Sequence, residues 1–126
     1  MRFIMTIKFV LLLVLSLAML VSCSKENISN ADKAAVQGAM KAFVDAKIAK
    51  DNNVYTIEGK NGTFDYLHEG VKWTGQIFVS CADVKVGSDV YDIDYYVVKE
   101  NDRYIVIKEL LHKINKKEIN RTLWEQ

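Results

Sequence analysis

The chain has 126 residues, a formal net charge of +1 from 17 basic and 16 acidic side chains, and no proline. That balance excludes the concentrated basic face that nucleic-acid binding requires, so no nucleic-acid partner is expected. Half of the residues are hydrophobic, enough for one modest core in a chain of this length.

Residues 1–22 read as an export signal and not as part of a fold. Arg2 and Lys8 supply a positive start, and residues 9–19 form an almost unbroken apolar run. The run is shorter than the roughly 20 apolar residues of a membrane-spanning helix and suits a secretory signal. It ends in Leu20-Val21-Ser22-Cys23.

This tetrapeptide resembles the lipobox of bacterial lipoproteins. The resemblance implies cleavage before Cys23, a diacylglycerol thioether on the Cys23 sulfur and a further acyl chain on the new N-terminus. Two or three chains hold a membrane where one binds only marginally. The implied location is the bacterial cell envelope, lipid-anchored and facing the periplasm. Ser24, standing where an Asp would retain the protein at the inner membrane, favours the outer membrane. Residues 23–30 are then a lipidated polar tether, and 31–126 a single domain.

Losing Arg2 and Lys8 takes the charge from +1 to −1. With Cys23 given to lipid, Cys81 is the one thiol left and no intrachain disulfide can form. A cysteine in that position most often packs as a small buried hydrophobe.

In chain order, residues 31–50 read as a helix capped by Ser29 or Asn30, with Val36, Met40, Phe43 and Val44 as its buried stripe. The period then changes to two. Asn61-Gly62 is the strongest hairpin signal, because a type I′ turn needs positive φ at both positions. A turn there sets Ile57 opposite Tyr66 and Tyr55 opposite His68. Glu69-Gly70 and Trp73-Thr74-Gly75 interrupt the next stretch. Strands are predicted over 76–86, 89–99 and 103–113, joined by turns at Gly87-Ser88 and Asn101-Asp102. A further turn at Asn115-Lys116 leads to a last strand near 118–124. One helix packed on a curved antiparallel sheet of about five strands is an α+β arrangement. Its element order resembles the cystatin-like and NTF2-like rolls of small bacterial lipoproteins.

The turns set a register, and the register brings chemistry together. Val86 opposite Asp89 places Cys81 across from Asp94 and Asp83 across from Asp92. Glu100 opposite Arg103 places Asp94 across from Glu109 and Asp92 across from Leu111. Cys81, Asp83, Asp92, Asp94 and Glu109 then share one corner. Like charges opposed across strands repel, so a cation is one resolution. Carboxylates suit calcium or magnesium, and a thiolate adds a softer ligand. The other resolution is a solvated edge with Lys85, Lys108 or Lys113 nearby, or a bulge near Ala82-Asp83 that turns one carboxylate away. His68 and His112 are further candidates, but this register keeps them apart, beside Tyr55 and Tyr91, with His112 on the face opposite Cys81.

No Gly-x-Ser-x-Gly elbow, no phosphate-binding glycine loop and no Cys–His partnership in this register is present. Neither an enzyme nor an organic cofactor is expected. The sequence reads as a non-catalytic binding or interaction module whose partners are the membrane, through its anchor, and an envelope protein. The alternatives are a divalent-metal or small-ligand site at the acidic corner, and an inhibitor or immunity-like lipoprotein.

Overall fold

The computed structural model describes residues 28–121. The residues read as an export signal, Cys23 and most of the residues read as a tether lie outside the described residues, as does the stretch after residue 121 expected to complete the last strand.

Helix α1 spans Asn30–Lys50. Ser29 is its cap, its Oγ accepting from the Asp32 N–H at 3.0 Å. That bond satisfies one of the free donors at the helix start and is worth about 1 kcal/mol. Asp32 lies in the positive first turn, and Lys47 and Lys50 in the negative last turn, the arrangement that the helix dipole favours. Val36, Met40 and Val44 recur every fourth residue and are fully buried. The helix ends where Asn52 and Asn53 take positive φ, 55° and 66°, a conformation asparagine tolerates better than most residues.

Six strands follow: β1 (Tyr55–Ile57), β2 (Lys60–Trp73), β3 (Phe78–Val86), β4 (Asp89–Glu100), β5 (Arg103–Ile114) and β6 (Lys117–Glu118). They lie in the sheet in chain order and every pairing is antiparallel. The α+β class is therefore as expected, with a two-residue sixth strand beyond the five. α1 covers one face of the sheet. There its stripe meets Tyr55, Ile57, Ala82, Val84, Ile93, Tyr95, Val97 and Leu111 in the core.

Three turns form where their residues require. Gly87 has φ 60°, Asn101 and Asp102 have 48° and 62°, and Asn115 and Lys116 have 50° and 68°. The pairs they close are Val86 with Asp89, Glu100 with Arg103, and Ile114 with Lys117.

The first hairpin differs from expectation. Its turn is Glu58-Gly59, with φ of 51° and 72°, and Ile57 pairs with Lys60 and Tyr55 with Gly62. Asn61-Gly62 is inside β2, so Tyr55 does not face His68, nor Ile57 Tyr66. Gly62 is needed for space and not for turning: a Cβ there would lie 2.7 Å from Val84 Cγ1 and 2.9 Å from the Lys85 carbonyl oxygen. A glycine inside a strand commonly marks such a close approach.

The register of β3 on β4 is as read from the sequence, Cys81 facing Asp94 and Asp83 facing Asp92. That of β4 on β5 is not. It holds from Arg103 to Val106 and then slips at two bulges. Val97 faces Val106 but Tyr96 faces Lys108; Ile93 faces Leu111 but Asp92 faces Lys113. Ile107 and His112 are the extra residues that the two bulges insert into β5. A one-residue slip moves every side chain beyond it to the other face. Leu111 thereby enters the core, whereas the uninterrupted register would have set it beside Asp83 and Asp92.

Candidate metal centre

The outer face of the sheet, away from α1, carries the polar cluster. Glu109 is not in it. The Ile107 bulge turns Glu109 to the helix side, opposite Tyr95. There it accepts from Tyr55 Oη at 2.5 Å and pairs with Lys47. Tyr95 and Tyr55 share a hydroxyl contact of 2.7 Å, so Glu109 closes a buried structural network under α1.

His112 moves the other way. As the second bulge residue it lies on the outer face, its Nδ1 3.4 Å from Asp94 Oδ1. Both side chains are buried. The expectation that His112 and Cys81 occupy opposite faces is overturned, and so is its place beside Tyr91, which pairs with Ile114.

His68 arrives by a third irregularity. Leu67 faces Ala82 and Val71 faces Ser80, so three residues of β2, His68 to Gly70, stand against Cys81 alone. Two side chains hold this bulge in shape. Gln37 Nε2 donates to the carbonyls of His68 and Glu69 at 3.1 and 3.2 Å, and Ser80 Oγ donates to that of Gly70 at 2.6 Å. The His68 ring is thus fixed with Nε2 2.6 Å from Asp83 Oδ1 and Nδ1 2.9 Å from Cys81 Sγ. An ionised carboxylate only accepts, so Nε2 donates to Asp83 and Nδ1 is the ring nitrogen that faces the thiol. The sequence register had offered no Cys–His partnership; the bulge creates one.

The donors fall into two triads. His68, Cys81 and Asp92 bring ligand atoms within 4.8 Å of one another, and so do Asp92, Asp94 and His112. Asp83 belongs to neither; its contacts include His68 and Tyr66. Asp92 Oδ1 is buried and has no hydrogen-bond partner, an arrangement that costs roughly 1–3 kcal/mol or more unless something compensates it. The two histidines, kept apart in the sequence register, are each a neighbour of Asp92.

Electrostatics decide between two chemistries for this corner. Cys81, His68 and Asp83 have the connectivity of a nucleophile, base and orienting acid. A thiol nucleophile needs a lowered pKa. Burial and the nearby Asp92 and Asp94 carboxylates instead push the Cys81 thiol up to about 12. Burial also raises the Asp92 carboxyl, with His68 and His112 pulling it back. The carboxylates gathered around the thiol disfavour a free thiolate, and His68, His112 and Lys113, which faces Asp92, offset part of their charge.

Beside the cluster opens a cleft of about 570 Å³, lined by Tyr66, His68, Asp83, Asp92, Lys113 and Lys116 among others. The Tyr66 ring tilts over His68 with centroids 5.3 Å apart. The cleft gives the first triad a route to solvent.

Of the five residues expected at the corner, Cys81, Asp83, Asp92 and Asp94 do gather there. Gln37 and Ser80, which shape the His68 bulge, were not foreseen. The trace of that bulge in the sequence is Glu69-Gly70, a glycine in a strand. Comparison with known proteins returns no match: no family model, curated sequence or solved structure aligns with this chain.

Proposed function

We propose that this is an envelope lipoprotein, anchored through Cys23, whose folded domain binds a divalent transition-metal ion through His68, Cys81 and Asp92. The observation that carries the metal reading is the convergence of an imidazole nitrogen, a thiol sulfur and a carboxylate oxygen of Asp92 within 4.8 Å; Asp92 also has one buried oxygen, Oδ1, with no hydrogen-bond partner. Exchanging Glu109 for two histidines changes the donor chemistry from hard to borderline. Imidazole and thiolate select zinc and its neighbours over calcium or magnesium. Asp83 holds His68 Nε2 as an outer partner that fixes the ring. Metal binding releases the Cys81 proton, so the charge that opposes a free thiolate favours the loaded site.

Calorimetric titration of the full chain, purified metal-free in detergent, tests this. Zinc is expected to bind and calcium to leave zinc binding unchanged. Asp92→Asn and Cys81→Ser are each expected to weaken zinc by tenfold or more. A folded wild-type protein that takes up no zinc would overturn the reading and return the chain to a metal-independent binding module.

A further inference from the structure

We propose that the outer face holds two cations and that Asp92 bridges them. The proposal rests on the metal reading above and extends it to the second triad. The five donors do not close into one set: His68 and Cys81 group with Asp92, and Asp94 and His112 group with Asp92. One ion with ligand bonds of about 2.0–2.3 Å spans donors no more than about 4.5 Å apart, so it serves one triad. A carboxylate has two oxygens, and a bridging carboxylate commonly holds two ions about 3.5–4 Å apart.

The geometry of the second triad suits an ion. Two donors each about 2.05 Å from a tetrahedral centre lie about 3.4 Å from one another. His112 Nδ1 and Asp94 Oδ1 are 3.4 Å apart. The two triads also differ in chemistry. The first, with nitrogen, sulfur and oxygen, is half-buried at the cleft. The second has one nitrogen and two carboxylates, and both Asp94 and His112 are buried. The first therefore suits the softer ion and the second the harder one.

The rival occupant of the second triad is a proton on His112, paired with Asp94. Cobalt(II) separates the two. The metal-free full chain in detergent is loaded with cobalt, freed of excess, and its metal content measured. The thiolate-to-cobalt absorption band reports the first triad, and electron paramagnetic resonance reports coupling between ions. Two cobalt per chain are expected, with a resonance signal attenuated at the second equivalent. Asp94→Asn and His112→Gln are each expected to lower the content to one while keeping the thiolate band; Cys81→Ser is expected to abolish the band. One cobalt per wild-type chain, an uncoupled signal and no effect of His112→Gln would overturn the bridge and leave the single-ion site standing. No cobalt in a folded protein would overturn both. The wild-type content and coupling decide the matter even where a variant fails to fold.

Discussion

Asp92 is the residue on which the outer face turns. It opposes Asp83 across β3 and β4, raises the pKa of the Cys81 thiol and belongs to both donor triads. Its effect on the thiol has a sign that can be measured without any metal. A carboxylate near a thiol favours the protonated form, so removing it must lower the thiol pKa. Each unit of that shift multiplies the thiolate fraction about tenfold at pH below the pKa. Metal-free Asp92→Asn is therefore expected to react with a disulfide reagent at pH 8 several-fold or more faster than wild type, whose thiol is pushed up to about 12. An unchanged or slower rate in a folded variant would show that burial and the other carboxylates, not Asp92, govern Cys81. The Asp83–Asp92 opposition was legible in the sequence because nothing interrupts the ladder between it and Gly87, a residue that marks its own turn.

The strands themselves explain what was legible and what was not. Turn residues specify register only up to the next bulge. Gly87-Ser88, Asn101-Asp102 and Asn115-Lys116 were readable because positive φ selects a few residue types. Asn61-Gly62 carried the same signal for a different reason, the approach of β3 within a Cβ radius of Gly62. The bulges at Ile107 and His112 have no residue signature at all. They arise because Leu111 must enter the core and Glu109 must reach Tyr55 and Lys47, demands that exist only in three dimensions. The bulge at His68 is held by Gln37, a helix residue on the other side of the sheet's core from the metal donors. Gln37→Ala is expected to keep the fold, free two carbonyls and lower zinc affinity by about tenfold, the usual effect of losing an outer partner of a ligand. An affinity equal to wild type would mean that Ser80 alone holds the bulge.

Taken together, the molecule is two layers with different tasks. α1 and the inner face of the sheet bury the apolar stripe and the Tyr55–Tyr95–Glu109 network, while the outer face gathers charge that adds little stability without a ligand. Zinc at 100 times its dissociation constant adds about 2.7 kcal/mol to a folded state that alone binds it. In a domain of this size that corresponds to a rise in melting temperature of roughly 10–20 °C. Thermal unfolding with and without zinc checks it; a shift of about 2 °C or less at saturating zinc would place the binding outside the folded core. The His112 bulge has a last consequence, and it concerns descent. Between Leu111 and Lys113, β5 carries one residue in excess of β4, and that residue is His112. Deletion of that single codon would remove His112 and leave the core on the other face in register, so the second triad can be lost by deletion as well as by substitution.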